Sequence, residues 1–434
     1  MKTEPAAARG APGDRAAGSP ATQSDAGRDD RATPGARVRD GTLYCVKVFL
    51  TVRIALGLVA LMGVALLPDL SALSPAVRAG LPAIPSPVSV PGWPAHVVTP
   101  GWHNAVTAWE RFDGLWFLRI ATHGYRNGDG SAAFYPLYPM LTRGVSVLLG
   151  HHPLAASLIV SNLAFLGALV VLFALTEREL GERVARRAVL YTAVFPTALF
   201  FLAPYSESLF LLLSLLVFWW ARGRRWALAG LAGGLAALTR NVGVLLAVPL
   251  AVEAVHQWRE RRPRRFPWAG VAATAGPVLG ALAYAGYWRH VSGDWLAPIH
   301  QQTQWERHLI DPAAAVVRGS RIAFRFVGVY PGGYHFYDWL IAIPVLAFAL
   351  YAAVKLRPAY GAYALVSLVV PLSFVFDGRP LMSFPRFAAV VFPVMWGMAM
   401  WTRERPVRHE SILVSSSMLL GLSTLLFVTW YYIF

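Results

Sequence analysis

Residues 43–67 read LYCVKVFLTVRIALGLVALMGVALL, an apolar run broken only by Lys47 and Arg53. A helix needs roughly 20 such residues to cross a bilayer. This run is too long, and begins too far from the start, for a cleaved signal peptide, so it reads as a permanent signal-anchor helix. Arg37, Arg39, Lys47 and Arg53 crowd its beginning and place the N-terminus in the cytoplasm.

Outward from that helix the same texture continues. Hydrophobic types make up 56% of the 434 residues and charged types 14%, against roughly 25% charged in soluble domains. Sixteen Trp, sixteen Tyr and 23 Phe fit a chain that meets the membrane–water interface many times. Residues 1–40 hold seven basic and six acidic residues and almost no large apolar ones. They cannot bury enough surface to fold and read as a disordered cytoplasmic tail. Almost all of the +16 net charge therefore lies beyond the tail, mostly in short loops between apolar runs. That is the positive-inside pattern rather than a nucleic-acid surface. The single cysteine, Cys45, rules out an intrachain disulfide and reads as a buried thiol.

Loop charges lay out the path. A Pro-rich stretch, Pro68 to Pro100, leads to an amphipathic segment, Asn104–Tyr125, expected to lie on the membrane. Ala132–Gly150 holds Pro136, Pro139 and Arg143 and reads as a second surface or re-entrant helix. Spans are then expected over Pro153–Glu177, Ala185–Ala203, Ser206–Ala221, Trp226–Leu238, Val242–Trp258, Pro267–His290, Phe336–Val354, Tyr360–Phe376, Phe387–Trp401 and Ile412–Phe434. With Leu43–Leu67 that is about eleven spans, every strongly basic loop inside. Residues 41–434 thus form one transmembrane domain, with extracytoplasmic loops at 68–150 and 291–335.

This topology brings the unusual polar residues to the outer face. They are Asp113, Tyr205-Ser206-Glu207, Thr239-Arg240, Gln302, Trp305, Arg307, Asp377, Arg379, Ser383 and Arg386. Ionisable groups at membrane depth cost about 2.5–3.5 kcal/mol each and mark functional sites by default. Each also has a plainer reading. Glu207 suits the first turn of a helix, Arg386 could snorkel, and Asp113 could sit on a solvated helix face. His151, His152, His300, His308 and His335 show no metal-ligand spacing. The chain has no phosphate-cradling Gly loop, no HExxH pair and no GxSxG elbow. A carboxylate that takes a hydroxyl proton, beside arginines that hold a phosphate, suits displacement at a sugar carbon. The same arginines would also suit a transporter or flippase of a lipid-linked or anionic substrate.

The segment Trp109-Glu-Arg-Phe-Asp113-Gly-Leu-Trp-Phe-Leu-Arg-Ile-Ala-Thr-His-Gly-Tyr125 resembles the first luminal loop of the PIG-V-like mannosyltransferases. These are bacterial relatives of the second mannosyltransferase of GPI-anchor synthesis. The resemblance runs on through Ala133-Phe-Tyr-Pro-Leu-Tyr-Pro139, Pro204-Tyr-Ser-Glu-Ser208, Leu238-Thr-Arg-Asn-Val-Gly243, Gly293-Asp-Trp-Leu-Ala-Pro298 and Ser383-Phe-Pro-Arg-Phe387. Phe112 stands where relatives often have Trp. The resemblance implies a GT-C fold and inverting transfer of mannose from a polyprenyl-phosphate donor to a lipid or glycan acceptor, in a bacterial cell membrane with the site outside. It implies Asp113 as base. Arg240 and Arg386 are expected to hold the donor phosphate, and Trp116, Tyr205, Glu207, Gln302 and Arg307 to position substrate. A GT-C enzyme using another sugar, such as glucose, arabinose or galactose, keeps the same residues. A divalent metal shared by Asp113, Asp129 and Glu207 stays open, although a phosphate leaving group beside arginines does not require one.

Overall fold

The computed structural model describes residues 34–66, 104–260, 266–301, 307–329, 332–376 and 378–431. Most of the tail expected to be disordered, the Pro-rich stretch 68–100, Gln302, Trp305 and Asp377 lie outside the described residues. The chain divides into two compact units, Met1–Asp40 and Gly41–Phe434. The second unit holds the membrane-spanning bundle.

The first span is α1 (Pro34–Leu66). The first loop holds α2 (Asn104–Thr107), α3 (Asp113–His123), a 3-10 turn at Ser131–Ala133 and α4 (Leu137–Leu148). Then come α5 (Pro153–Leu180), α6 (Glu182–Ala193), α7 (Glu207–Arg222), α8 (Trp226–Ala237), α9 (Ala247–Glu260) and α10 (Trp268–Ser292). The next loop carries α11 (Ala297–His300), the strand β1 (Arg307–Leu309) and α12 (Pro312–Arg325). The chain finishes with α13 (Gly333–Lys355), α14 (Pro358–Ser373), the strand β2 (Phe374–Phe376), α15 (Phe384–Ala388), α16 (Phe392–Thr402) and α17 (Pro406–Val428).

The architecture is the expected all-α, multi-pass one. Among the described residues, five helices are long and apolar enough to cross a membrane: Val38–Leu66, Pro153–Leu180, Trp268–Ser292, Gly333–Lys355 and Pro406–Val428. The remaining expected spans are shorter or broken. Ala185–Ala203 is not one helix, because α6 stops at Ala193 and a 3-10 turn, Ala198–Phe201, takes over beyond Pro196. A proline removes a ladder donor and clashes with the preceding turn. Val242–Trp258 starts as a 3-10 segment, Asn241–Leu246, before α9. Tyr360–Phe376 leaves its helix at Ser373 and becomes β2, which pairs antiparallel with β1, Arg307 opposite Phe376. Phe387–Trp401 is split between α15 and α16. Irregular backbone at membrane depth is tolerated where protein buries it or a cavity needs it. Residues 238–246 and 374–391, where two of these breaks fall, also hold Arg240 and Arg386 of the site.

The first loop also departs from expectation. Asn104–Tyr125 is two helices, not one, and α3 does not lie on a membrane surface: Gly114 to Ala121 are all buried. Protein covers it on both sides. A Cβ on Gly114 would sit 2.9 Å from Pro204, and Phe117 packs edge-on to Phe134 and Tyr138 at 5.3 and 5.1 Å. α4 is the amphipathic helix of this loop, exposing Met140, Val147 and Leu148 while burying Tyr138, Thr142 and Ser146. Cys45 is buried, as expected.

α8 and α10 cross with backbones nearly touching. A Cβ on Gly276 would fall 2.0 Å from the Gly230 carbonyl oxygen, and one on Gly280 2.2 Å from that of Gly234. Small residues four apart allow this approach where lipid supplies no hydrophobic drive between helices. Gly276→Val is expected to cost roughly 3 kcal/mol, since the obstacle is backbone and cannot swing aside. A thermal-aggregation midpoint equal to wild type would contradict this.

Candidate active site

The site is built from the start of α3 upward. Arg111 donates from Nε to the Val428 carbonyl at 3.0 Å, and its guanidinium lies 4.9 Å from the Trp430 ring. Phe112 packs on Phe427 and Trp430 at 5.6 and 5.3 Å and takes φ +50°. A bulky residue in that region is strained and persists only where its surroundings impose it. Asp113 follows as the first residue of α3, its side chain 25% exposed, so it alone of the residues from 111 to 121 keeps access to solvent.

Four ionisable side chains from four separate stretches then join. Arg386 Nη1 lies 2.5 Å from Asp113 Oδ2. Arg386 Nε lies 3.5 Å from Glu207 Oε1, and Arg240 Nη1 lies 2.5 Å from the same oxygen. Glu207 is 1% exposed. Among the described residues its Oε2 and the Arg386 Nε have no hydrogen-bond partner. Burial alone would loosen the Arg386 proton, but Asp113 and Glu207 outweigh it and hold the guanidinium charged. Arg240, Arg386 and Arg307 gather round one ring, their guanidinium carbons 5.2, 5.3 and 5.9 Å from the centre of Phe387. Arg307 reaches Ser383 Oγ and the Phe374 carbonyl, each at 3.3 Å.

The structure gathers most of the expected residues but changes the part some of them play. Asp113, Arg240 and Arg386 converge, as their placement at one face predicts, and Arg307 and Glu207 join them. Glu207, expected to position substrate, is 1% exposed and links two arginines. Tyr205 is 1% exposed and donates its hydroxyl to the Arg111 carbonyl at 3.2 Å, bracing the turn before Asp113. Trp116 is buried and stacks on Phe134 at 5.5 Å, with Arg119 over its ring. Gln302 lies outside the described residues. The three carboxylates grouped as a metal site go to three different arginines: Asp113 to Arg386, Glu207 to Arg240 and Asp129 to Arg119 at 2.5 Å. Among the described residues no group of three or more His, Cys, Asp or Glu could hold a metal ion.

Sequence reading missed two contributors. Asp338, wholly buried in α13, accepts two bonds from Arg379 at 2.6 and 2.9 Å. Backbone bonds from Met382 to Arg379, Phe384 to Leu381 and Phe387 to Ser383 then carry that anchor along the turn to Arg386. An aspartate inside an apolar run was the available signal. Phe387, the ring the arginines surround, closes the motif Ser383-Phe-Pro-Arg-Phe387, yet an aromatic among apolar residues looks like core and was given no role.

The arrangement can bind an anion. Arg240, Arg386 and Arg307 around Phe387 supply guanidinium donors of the kind that hold a phosphate. Asp113 stands at the rim, where a hydroxyl could reach it.

Residues 44–257 match the family described as Mannosyltransferase (PIG-V). This stretch, about half of the chain, carries Asp113, Glu207 and Arg240, and over it the chain is similar to that mannosyltransferase family. No curated protein matches by sequence. By shape, the chain is similar to the Archaeoglobus fulgidus oligosaccharyltransferase in complex with Zn and sulfate, with 14% identity and a TM-score of 0.38, over 73% of this chain and 48% of that one. It is also similar to ArnT from Cupriavidus metallidurans bound to undecaprenyl phosphate, with 14% identity and a TM-score of 0.41, over 75% and 72% of the two chains. A third likeness is to the Archaeoglobus fulgidus AglB with an inhibitory peptide and a dolichol-phosphate, with 12% identity and a TM-score of 0.39, over 87% and 56%. The chain spans about half the length of the archaeal enzymes.

Proposed function

We propose that the protein transfers a sugar, mannose by its family likeness, from a polyprenyl-phosphate donor to an acceptor hydroxyl at the extracytoplasmic face. The observation that carries this reading is the Asp113–Arg386–Glu207–Arg240 chain, which joins one accessible carboxylate to buried arginines at the broken-helix end of the bundle. Asp113 takes the acceptor's proton. The acceptor oxygen attacks the anomeric carbon as the bond from that carbon to the phosphate oxygen breaks. The electron pair leaves with the polyprenyl phosphate, whose charge Arg240, Arg386 and Arg307 stabilise. One displacement inverts the anomeric centre. Tyr205 and Glu207 serve by holding Asp113 and the arginines in place rather than by touching sugar. No step calls for a metal.

The test is whether detergent-solubilised protein consumes a synthetic polyprenyl-phosphate-mannose when offered a panel of alkyl mannosides. Release of polyprenyl phosphate with an inverted product is expected. Donor left intact with every acceptor would overturn the transferase reading in favour of transport. Arg307→Gln should raise the donor KM by about 10-fold or more while kcat holds near wild type. A charge-assisted hydrogen bond is worth about 1.5–3 kcal/mol, and Arg307 stands with Arg240 and Arg386 around Phe387. An unchanged KM would remove Arg307 from the phosphate cradle.

A further inference from the structure

α12 shows two unlike faces. Its inner face is made of small residues: Ala315, Gly319 and Ala323, four apart, are buried. A Cβ on Gly319 would fall 2.6 Å from Leu381 Cγ, in the turn that leads to Arg386. Asp311 closes the start of the helix by accepting from the Ala314 backbone at 2.9 Å, and the Ile310 backbone donates to the Ser373 carbonyl at 2.8 Å. The helix is thus held in place from one side and from its beginning.

The outer face divides lengthwise. Val317 and Phe324, seven residues apart, are 47% and 58% exposed and share one strip. Arg318, Arg321 and Arg325, all exposed, share the strip beside it. The helix holds no acidic residue to offset them. A third observation gives the depth. Phe324 packs edge-on to Trp339 at 4.7 Å and to Phe336 at 6.0 Å, and Trp339 Nε1 donates to Ser320 Oγ at 3.0 Å. Trp339 and Phe336 lie in the first two turns of α13, a helix long and apolar enough to cross a membrane. Aromatic side chains at the end of a span settle at the headgroup level of a bilayer. The apolar strip of α12 therefore continues the lipid-facing side of α13, and the arginines stand level with lipid phosphates.

We propose that α12 is a docking surface for anionic phospholipid, on the leaflet at the end of α13 away from Lys355. Val317 and Phe324 enter the edge of the acyl region, as the apolar face of an interfacial helix does. Arg318, Arg321 and Arg325 meet the phosphates, which guanidinium groups bind in paired hydrogen bonds. A zwitterionic headgroup cancels its own phosphate charge, so a row of cations selects lipids of net negative charge. Because Gly319 rests on Leu381, this surface adjoins the turn that carries Arg386. The proposal does not depend on the proposed activity.

The test reads the lipids at this helix alone. Val317→Cys places an accessible thiol on the apolar strip, and Cys45, the natural cysteine, is buried and stays unlabelled. The full-length variant carries a bimane fluorophore there and is reconstituted in phosphatidylcholine vesicles. These contain, at one mole fraction, either brominated phosphatidylglycerol or brominated phosphatidylcholine, and bromine quenches only at close range. Brominated phosphatidylglycerol is expected to quench more strongly, corresponding to a local enrichment of about 3-fold or more, since each arginine adds to the attraction of an anionic lipid. Arg321→Gln/Arg325→Gln should bring the two lipids to equality. Arg321→Lys/Arg325→Lys should keep the difference, and raised salt should shrink it. Quenching by neither lipid would mean that the face meets water or protein. Equal quenching in the unsubstituted background would mean an apolar contact with no choice of headgroup. A preference that survives in the glutamine variant would come from other cations. Each of these three results overturns the proposal.

Discussion

Asp113→Asn is expected to lower sugar transfer by about 10³-fold while leaving expression, membrane insertion and donor binding intact. A positioned general base contributes roughly 10²–10⁴-fold, and asparagine keeps the size of the side chain while losing the proton acceptor. The backbone at this position is fixed from outside: Arg111 is tied to Val428, Phe112 is wedged between Phe427 and Trp430, and Gly114 is pressed against Pro204. The substitution should therefore leave α3 where it is. Donor affinity should be equal or slightly higher, because the Arg386 guanidinium, now bound to Asp113 at 2.5 Å, would lose a competitor for the phosphate. The measurement is single-turnover transfer from polyprenyl-phosphate-mannose, with donor binding followed separately. Turnover within tenfold of wild type would show that Asp113 is not the base. Lost transfer together with lost donor binding would show that the pair with Arg386 matters for assembly instead.

Glu207→Gln is expected to destabilise the protein by about 3–5 kcal/mol and to abolish transfer. Removing one partner of a buried ion pair strands the other charge, and that penalty exceeds the net worth of the pair. Here Arg240 loses its carboxylate and Arg386 is left with Asp113, since both arginines share Glu207 Oε1 in a place that is 1% exposed. The double variant Glu207→Gln/Arg240→Gln should recover part of the loss, because it also removes one of the uncompensated charges. Thermal-aggregation midpoints of the two single variants and the double one form the cycle. If the losses simply add, Glu207 is not the electrostatic hub of the site.

The contrast between the two carboxylates shows where sequence reading reached its limit. Both stood out for one reason: a charged side chain beside an apolar run costs energy and needs a purpose. That reasoning found Asp113, Arg240, Arg386 and Glu207, but it could not say which carboxylate would be accessible. Accessibility is decided by Phe112, Tyr205 and the end of α17, which close over α3 from distant parts of the chain. Arg307 was expected near the substrate, yet its place beside Phe387 depends on the pairing of β1 with β2, two strands of three residues each. Strands that short carry no readable periodicity of their own.

The residues alone determined that this is an all-helical, many-pass membrane chain, because apolar length and charge placement are properties of local sequence that the bilayer reads directly. The resemblance carried by short motifs, from Asp113 to Arg386, was likewise visible in the bare chain. Only the tertiary structure decided where helices break, that α3 is enclosed rather than lying on lipid, and which carboxylate faces outward and which is sealed between arginines. Those outcomes depend on contacts between segments up to 317 residues apart, such as Arg111 with Val428. Neither segment holds a record of the other until packing brings them together.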